Sequence, residues 1–514
     1  MKSGIVNSPD DKVKSPAELT GIISSLKDQG RSVVHCHGVF DLIHPGHIRH
    51  LEAAKRQGDL LVVTVTPDEY VNKGPGRPVF NQRLRAESLS ALQCVDYVAI
   101  NEWPTAVELI HFLRPDVYVK GSEYAQREKD LTGKIYDEEE AILSVGGRIH
   151  FTDDITFSSS HLINKHFNPF PAETERWINT FRERYSADEV VRYLEAVAPL
   201  KVLVIGEAIL DEYVFCDGLG KSTKDPILVF QYRNTETHAG GSLAVANHLA
   251  GFCDQVGLIT FLGESERRED FVRREMLPNV RPYLLTRKKA PTIHKRRFVD
   301  THTGARVFEL YVMDDTKMEP EDEESLAQIM SDTIRDYDVV IVTDYGHGLL
   351  TPATIRYLCD TSRFLAVNTQ ANAGNRGFNT ISKYPRADYV CLTGIEVALE
   401  TRLRHASWPD LVSEVGKRID CSKFTVTLGS NGTIHYDSEC GFTEVPALAT
   451  RVTDRMGAGD AVLAVTSLLV ALRTPWDIIG FFANLAGAQM VAELGNRVAV
   501  SRTSIAKHAV SLMK

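Results

Sequence analysis

The chain has 514 residues and a formal net charge of −10, with 58 Lys and Arg against 68 Asp and Glu. This length exceeds what one hydrophobic core supports, so two or more domains are expected. The acidic balance, without a basic block, argues against nucleic acid as a partner, and no apolar run approaches the roughly 20 residues of a membrane span.

Cysteine usage and the first residues indicate the cellular compartment of the protein. The eight cysteines are scattered and form no C-x-x-C pair, so neither a disulfide framework nor a zinc knuckle is indicated. The opening residues, MKSGIVNSPDDKVKSP, have no apolar core of the kind that a signal peptide requires. We therefore expect a soluble enzyme of the reducing cytoplasm, with no membrane partner.

Strand-like and helical segments alternate from about residue 30 to residue 165. The predicted strands are SVVHCH, LLVVTV, YVAI, VYVK and RIHF, with helical patterns between them. This alternation predicts a parallel sheet with helices on both faces. We expect residues 1–165 to form an α/β domain of the doubly wound, Rossmann-like type.

A charged, mostly helical connector is predicted over residues 166–198. A second α/β pattern follows over 199–514, starting with the run KVLVIGEAILDEYVF. It continues through VVIVTDYG, FLAVN, YVCLTG and FTVTLGSNG, and it ends in helices such as AVLAVTSLLVALR. The sequence thus predicts two doubly wound domains joined by a helical segment.

The segment GVFDLIHPGH joins a predicted strand to a predicted helix. It places His44 and His47 at the turn, where backbone N–H groups and the helix dipole favour an anion, most often a phosphate. Phe40 and Asp41 precede them at the strand end, and Gly46 lets a phosphate approach the backbone. The segment therefore predicts a phosphate site.

Two further segments of this domain carry cations. KGPGRP offers Lys73 and Arg77 in a glycine-rich loop, and Lys120 closes another predicted strand. The carboxyl ends of parallel strands meet at one sheet edge, so these groups are expected near the histidines. The alternatives for the histidine pair are a plain helix cap and a zinc site, but no third ligand follows at zinc spacing.

The segment DRMGAGDAVLAV carries the strongest signal of the second domain. Gly457, Ala458 and Gly459 precede a predicted helix, so their N–H groups can point at a transferring γ-phosphoryl group. Asp460 then lies in the first turn, where a carboxylate can accept a proton from a sugar hydroxyl. The alternative is that the small residues only pack the helix and that Asp460 caps it.

The first domain resembles a known family in several motifs. GVFDLIHPGH resembles the G-x-FD-x-x-H-x-GH motif of small nucleotidylyltransferases, and NKGPGRPV, RPDVYVKGSEY and FSSSHLI are similar to the adenylyltransferase domain of bifunctional ADP-heptose synthases. The resemblance implies that a sugar 1-phosphate attacks the nucleotide α-phosphate and that pyrophosphate leaves. His44 and His47 would then act as catalytic residues on the phosphate oxygens, and Lys120 would lie near the attacking phosphate.

The same resemblance implies further ligand-binding residues, with magnesium as the charge partner of the phosphates. For the two serines, an ordinary helix cap is the alternative. The implied nucleotide-binding residues of this domain are Phe40, Asp41, Gly46, Lys73, Arg77, Ser159 and Ser160.

The second domain resembles the ribokinase-like sugar kinases throughout residues 199–514, and most of all their heptose-phosphate kinase domains. The resemblance implies that Asp460 is the catalytic base. The implied substrate-binding residues are Asp211, Gly240, Gly241 and Asp344. The implied nucleotide-binding residues are Thr427, Gly429, Gly432, Gly457, Ala458, Gly459 and Asn484.

Several positions depart from the kinase pattern. Arg455 and Met456 replace two threonines before the glycines, and Ala244 stands where the family's substrate segment carries Asn. The magnesium-linked glutamate is at best Glu396, acting through water. Since a lost hydrogen bond to a substrate hydroxyl changes discrimination strongly, the departures leave Asp460 in place but favour a different sugar.

The leading interpretation is a bifunctional enzyme that acts on sugar phosphates and on ATP or CTP. The transferase precedes the kinase, which is the reverse of the usual order in the family it resembles. In such kinases, lid strands corresponding to residues 212–233 and 291–312 pair between subunits, so we expect a homodimer or a larger homo-oligomer.

Other interpretations stay open at this point. The first is a cytidylyltransferase for a polyol or another sugar phosphate, fused to a kinase. The second is a C-terminal half that serves as a non-catalytic sugar- or nucleotide-sensing scaffold. A tRNA synthetase fragment also shares the H-x-G-H turn, but no K-M-S-K-S-like loop follows it.

Overall fold

The computed structural model describes residues 9–74, 76–124, 134–152, 170–403 and 405–514. The chain divides into two compact units, one made of Met1–Pro169 with Ala506–Lys514 and the other of Phe170–Ile505. This division differs from the sequence-based boundaries at two places. Most of the predicted connector lies in the second unit, and the last nine residues belong to the first.

A five-stranded parallel sheet forms the centre of the first unit. Its strands are β1 (Val33–Gly38), β2 (Leu60–Val65), β3 (Tyr97–Ile100), β4 (Val117–Gly121) and β5 (Arg148–Thr152). They lie in the order β3-β2-β1-β4-β5, and every pair of neighbours is parallel. The order reverses between β1 and β4, so a ligand is expected outside the carboxyl ends of these two strands.

The second unit contains thirteen described strands in two sheets. They are β6 (Lys201–Gly206), β7 (Ala208–Lys221), β8 (Leu228–Gly241), β9 (Gln255–Ser265), β10 (Val280–Pro291), β11 (Ile293–Asp300), β12 (Arg306–Val312), β13 (Val339–Asp344), β14 (Leu365–Thr369), β15 (Tyr389–Thr393), β16 (Lys423–Thr427), β17 (Thr433–Asp437) and β18 (Gly441–Val445).

The larger sheet has nine strands in the order β10-β9-β6-β13-β14-β15-β16-β17-β18. Neighbours are parallel from β10 to β16, and β17 and β18 add an antiparallel edge. The strands β12-β11-β7-β8 form a separate four-stranded sheet. We call this second sheet the small sheet.

The sequence run 201–215, with which the second α/β pattern starts, forms two strands in two sheets. β6 ends at Gly206 in the larger sheet, and β7 begins at Ala208 in the small sheet. A side chain at Gly206 would lie 2.0 Å from Thr343 Oγ1. The close approach of β13 therefore requires glycine at the crossing point.

Helices surround the sheets. They are α1 (Pro9–Lys12), α2 (Pro16–Asp28), α3 (Pro45–Lys55), α4 (Gln82–Ser90), α5 (Val107–Leu113), α6 (Lys134–Ser144), α7 (Ala172–Arg184), α8 (Ala187–Glu195), α9 (Ser242–Ala250), α10 (Glu269–Glu275), α11 (Pro320–Thr333), α12 (Pro352–Thr361), α13 (Gly394–Thr401), α14 (Trp408–Gly416), α15 (Ala458–Ala471), α16 (Trp476–Val491) and α17 (Arg502–Met513).

The described part of the predicted connector contains α7 and α8, and α7 packs against α16 of the same unit. Its Trp177 and Phe181 stack on Phe481 of α16, with ring centroids 6.2 and 4.6 Å apart. The side chain of Tyr185 donates a hydrogen bond to Asp477. These aromatic contacts explain why the segment clusters with the second unit instead of separating the two.

The structure confirms the α/β class and two parallel-sheet units with helices. Within the described part of the chain, every helix is too short or too polar to cross a membrane.

Candidate active sites of the two units

The turn after β1 is held by Asp41. Its buried carboxylate accepts a hydrogen bond from the backbone N–H of Val79 at 2.7 Å and pairs with Arg77 at 3.0 Å. Phe40 adopts the left-handed conformation with φ 48°, and its ring lies 5.4 Å from that of His47. Asp41 thereby joins the histidine turn to the glycine-rich segment of Arg77.

His44 and His47 lie together at the start of α3. His44 is the N-cap, its Nδ1 accepts a hydrogen bond from the backbone N–H of Gly46 at 3.1 Å, and the two imidazole centroids are 4.1 Å apart. His44 Nε2 and His47 Nδ1 are buried without a hydrogen-bond partner in the structure. A neutral His44 that accepts at Nδ1 carries its hydrogen on Nε2, so that nitrogen can donate to a phosphate oxygen.

Burial sets the charge of this pair. It lowers the pKa of His44, and burial, followed by the nearby His44 and Lys73, lowers the pKa of His47 to about 3. Both rings are therefore neutral near pH 7. They can bind phosphate oxygens as hydrogen-bond donors, and the positive charge of the site must come from other residues.

Lys73 and Arg77 supply that charge. Burial lowers the pKa of Lys73 to about 8, although the Asp41 carboxylate opposes the shift, so the amine is mostly protonated near pH 7. Arg77 is held by Asp41 through one terminal nitrogen. Lys73 is close enough to His47 to lower the pKa of that imidazole, and Arg77 pairs with Asp41 of the same turn.

Lys120, predicted to lie near the attacking phosphate, forms a buried ion pair. Its amine pairs with Glu138 of α6 at 2.8 Å, and both side chains are at most a tenth exposed. Burial opposes the charge of Lys120, but Tyr118 and Glu138 outweigh it and raise the pKa of the amine above its usual value. Lys120 is thus protonated, and its charge is balanced by Glu138. Ser159 and Ser160 lie outside the described residues.

Arg85 is a residue of this unit that sequence reasoning missed. Its side chain is fully buried and donates to the backbone carbonyls of Val39 and Thr66, which follow β1 and β2. It also binds the Phe80 carbonyl and pairs with Asp68. One guanidinium therefore fixes the loops at two strand ends, and only its position on a polar helix hints at this role.

In the second unit, the GAGD segment opens α15. Gly457 is the N-cap and has φ 76°, and a side chain there would lie 2.0 Å from Asn496 Oδ1. A side chain at Gly459 would meet nothing within 4 Å. Gly459 therefore borders open space in the first turn of a 14-residue helix, and the N-terminus of such a helix favours an anion.

Asp460 lies in the first turn of α15 and is held by Tyr345. The Tyr345 hydroxyl donates to Asp460 Oδ1 at 2.9 Å, and Tyr345 itself is 2 % exposed. Burial raises the pKa of Asp460 to about 7, although the hydrogen bond from Tyr345 opposes the shift. A carboxyl with this pKa is suited to accept a proton near neutral pH.

The predicted sugar-binding Asp211 lies on β7, close enough to Asp460 to raise the pKa of that carboxyl further. Its carboxylate pairs with the buried Arg297 at 2.5 Å. A side chain at Gly240 would lie 2.2 Å from Asp211 Oδ2, and one at Gly241 would lie 2.6 Å from a backbone oxygen. Gly240 therefore makes room for Asp211, whereas Gly241 lies against the Glu207 carbonyl and Ile209.

Lys295 and Arg297 are two further residues that sequence reasoning missed. Both are buried on β11, and the Lys295 amine lies 5.7 Å from the Tyr345 ring centroid. Burial lowers the pKa of Lys295, with Asp211 opposing the shift. Their i, i+2 spacing in KRR indicates that both side chains share one face of a strand, and this signal was available in the sequence.

Asp344, expected to bind substrate, is already partnered at both oxygens. It accepts hydrogen bonds from the Tyr384 hydroxyl at 2.7 Å and from the backbone N–H of Gly346 at 3.0 Å, and it pairs with Lys383 at 2.5 Å. Asp344, Gly346 and Lys383 line a cavity of about 210 Å³. Asp344 thus shapes the turn that carries Tyr345.

The predicted nucleotide-binding residues lie at the end of β16 and on α16. Thr427 closes β16, and Gly429 and Gly432 have φ 61° and 84° in the turn that follows. The Asn484 side chain donates to Thr433 and to the Gly480 carbonyl, both at 2.9 Å. Asn484 therefore joins α16 to β17, and the turn before β17 stays open around Gly429.

The positions that depart from the kinase pattern have local roles. Ala244 is buried in α9, and the Met456 N–H donates to Asp454 at 3.0 Å. Glu396 forms a capping box with Thr393, and its carboxylate also accepts from the Ala371 N–H. Its oxygens are thus used by backbone groups, which leaves at most a water-mediated role with a metal.

Two family models match the chain. Residues 35–165 match a cytidylyltransferase-like family, and residues 199–502 match the pfkB family of carbohydrate kinases. These matches define a class: a bifunctional enzyme in which a cytidylyltransferase-like domain precedes a sugar kinase. Since the second match covers more than half of the chain, the chain belongs to the pfkB family of carbohydrate kinases.

Similar proteins carry the name bifunctional protein HldE. The one from Geobacter sulfurreducens is 42% identical over 142 residues, 27% of this chain and 28% of that protein. The one from Nitratiruptor sp. is 26% identical over 298 residues, 57% of this chain and 62% of that protein. The chain therefore spans less than two thirds of the length of these curated relatives.

Among solved structures, phosphofructokinase-2 from Escherichia coli in complex with substrates and products is similar to the second part. It covers 61% of this chain and 100% of its own chain, at 15% identity and a TM-score of 0.50. At this identity, the similarity shows the fold alone.

Proposed function

We propose that the protein acts at two steps of nucleotide-sugar synthesis. The kinase unit phosphorylates a heptose 7-phosphate-like sugar phosphate at its anomeric hydroxyl with ATP. The transferase unit joins a sugar 1-phosphate to a nucleoside triphosphate and gives ADP-heptose or a relative. The observation that carries the proposal is the position of Asp460, which lies in the first turn of α15 and accepts a hydrogen bond from the Tyr345 hydroxyl.

In the kinase reaction, the sugar hydroxyl oxygen attacks the γ-phosphorus of ATP and ADP leaves. The hydroxyl proton passes to the Asp460 carboxylate, which Tyr345 holds in place. The N–H groups that follow Gly457 face the transferring phosphoryl group and stabilise its charge. Asp211 and Lys295 are close enough to affect the pKa of this base and would bind the sugar beside it.

In the transferase reaction, an oxygen of the sugar 1-phosphate attacks the α-phosphorus and pyrophosphate leaves. No proton transfer by the protein is required, so catalysis consists of positioning and charge stabilisation. His44 donates a hydrogen bond from Nε2, and Lys73 and Arg77 balance the phosphate charge. His47, whose ring lies beside that of His44, would also bind a phosphate oxygen.

Magnesium would neutralise phosphate charge in both reactions. Within the described residues, no three His, Cys, Asp or Glu side chains form a metal cluster, and the Glu396 oxygens are used by backbone N–H groups. The described residues therefore fit a magnesium ion that would enter the site together with the triphosphate. In that arrangement, Glu396 reaches the ion only through water.

The kinase step is tested by ADP release with heptose and hexose phosphates. We expect wild type to turn over at least one of them and Asp460→Asn to be slower by about 10²–10⁴-fold, the usual contribution of a general base. If no sugar phosphate distinguishes wild type from the variant, the second unit is a non-catalytic scaffold for these ligands.

The transferase step is tested by pyrophosphate release with ATP and CTP and a panel of sugar 1-phosphates. We expect release with a sugar 1-phosphate, and a loss of about 10²–10³-fold in His44→Ala, the effect of one oxyanion donor. Release that requires CTP and a polyol phosphate would instead support the cytidylyltransferase alternative.

A homo-oligomer is part of the proposal. The small sheet carries exposed apolar side chains, among them Phe308 and Leu310 on one face of β12 and Tyr232 on β8. A second copy of the chain would cover them, as unpaired strands invite. Leu310→Asp should lower the molar mass in solution, while Val498→Asp, at another exposed apolar position, should leave it unchanged.

A further inference from the structure

The last helix lies beyond both family matches. The kinase match ends at residue 502, whereas α17 runs from Arg502 to Met513. Residues Ala506–Lys514 nevertheless belong to the first compact unit. The transferase unit therefore contains a segment from the opposite end of the sequence.

One side chain of this segment rests on the glycine-rich loop of the transferase unit. His508 is 4 % exposed, and a Cβ added to Gly74 would lie 2.3 Å from its Cδ2 and 2.5 Å from its Nε2. Gly74 also has φ 94°, a conformation that side chains rarely adopt. The imidazole therefore packs directly against backbone that only glycine can provide.

The contact lies between the two cations of the predicted phosphate site. Gly74 follows Lys73 in the sequence, and Arg77 is close enough to His508 to lower the pKa of the imidazole. Lys514, at the end of the same segment, is close enough to Lys73 to lower the pKa of its amine. The C-terminal segment thus lies beside both Lys73 and Arg77.

The loop contains two glycines at positive φ, Gly74 and Gly76. Glycine makes a backbone more flexible, and binding a ligand requires the loop to lose that conformational freedom. A rigid ring packed on this loop removes part of that freedom in advance. Burial lowers the pKa of His508 to about 4, so the ring is neutral near pH 7. It therefore holds the loop without adding charge.

We propose that His508 is a positioning residue of the transferase site, and that the C-terminal segment completes this site by holding the loop that carries Lys73 and Arg77. The inference rests on the proposed transferase function. It assigns to the end of the chain a role in binding the triphosphate.

The test is His508→Ala in the full-length protein. Since a misplacement of about 1 Å can cost about 10²-fold, we expect the KM for the nucleoside triphosphate in pyrophosphate release to rise by about tenfold or more. The KM for the sugar 1-phosphate and the ADP release of the kinase unit should not change. Thr503→Ala, at an exposed position of the same helix, is the matched control and should behave as wild type.

Two further variants separate positioning from folding. His508→Phe keeps a ring over Gly74 and should restore the KM towards the wild-type value. Gly74→Ala displaces the loop from the other side, and its effect should be smaller when His508 is Ala than when it is His, because both changes act on one contact.

The outcomes distinguish the inference from the proposed function. If wild type releases no pyrophosphate with any triphosphate, the proposed function is wrong. If wild type is active and His508→Ala has the wild-type KM for the triphosphate, the inference is wrong. Hydrogen exchange at the amides of β1 and β4 shows in the same samples whether the first unit is folded.

Discussion

At the scale of single residues, the proton affinity of Asp460 results from opposing effects. Burial and the nearby Asp211 raise the pKa of the carboxyl, while the Tyr345 hydroxyl and Lys295 lower it, with a pKa of about 7 as the result. Tyr345 is the one of these that binds the carboxylate directly, at 2.9 Å. It is therefore the residue whose removal should act most selectively on the base.

We expect Tyr345→Phe to shift the acidic limb of the kinase pH profile to higher pH. The hydroxyl stabilises the ionised carboxylate, so without it Asp460 takes up its proton at higher pH and is an active base only above that pH. The loss of a hydrogen bond to a charged group corresponds to about one pH unit. The measurement is kcat/KM of ADP release from pH 5.5 to about 9.

Tyr384→Phe is the matched control, because the Tyr384 hydroxyl donates to Asp344 at 2.7 Å in an equally buried setting. Its acidic limb should stay at the wild-type pH. If both variants shift the limb equally, the role assigned to Tyr345 is wrong.

Residue types and local spacing predicted part of each site. His44, His47 and Asp460 could be found because each lies at a helix start that its own neighbours in sequence create. Tyr345 and Arg85 could not, since their partners are distant in sequence: Tyr345 acts on a residue 115 positions away. Only the folded chain brings such pairs together.

At the scale of elements, the first unit depends on one buried guanidinium. Arg85 of α4 donates to carbonyls at the ends of β1 and β2 and pairs with Asp68. It therefore sets the positions of the loops from which the histidine turn begins.

We expect Arg85→Met to lower the free energy of unfolding of the first unit by about 3 kcal/mol or more, because the backbone carbonyls of Val39, Thr66 and Phe80 all lose a charged donor. Arg83→Met, an exposed position on the same helix, should change it little. The measurement is urea unfolding followed by pulse-labelled hydrogen exchange in peptides of β1 and β2. Equal effects of the two substitutions would contradict this role of Arg85.

At the scale of the whole molecule, the two units have similar sets of buried histidines but differ in their buried carboxyls. Burial lowers the pKa of several histidines in each unit to about 3 or 4: His35, His47 and His508 in the first, and His248, His347 and His435 in the second. Among described residues, carboxyls with raised pKa values lie only in the second unit: Glu207, Glu396 and Asp460.

These shifts predict that the first unit is the more sensitive to acid. Below about pH 6.5, histidines in the unfolded chain take up protons, whereas the buried rings of the folded chain stay neutral. The free energy of unfolding therefore falls as the pH falls. In the second unit, Glu207 and Asp460 hold their protons up to about pH 7 while the unfolded carboxyls lose theirs at about 4, so their contribution to stability rises as the pH falls.

The comparison is made with the urea midpoint of each unit at pH 7 and pH 5, with labelling at one fixed pH. We expect the midpoint of the first unit to decrease more. A larger decrease in the second unit would mean that its two raised carboxyls do not offset its histidines.

The sequence by itself determined the α/β class, two units, and the helix starts that hold His44, His47 and Asp460, because hydrophobic period and turn composition act between residues close along the chain. Only the tertiary structure decided that Lys120 is balanced by Glu138, that the run 201–215 divides between two sheets, and that the end of the chain belongs to the first unit. These outcomes depend on side chains that meet across long sequence separations. Charge balance and close packing between such residues leave no periodic signal in the sequence.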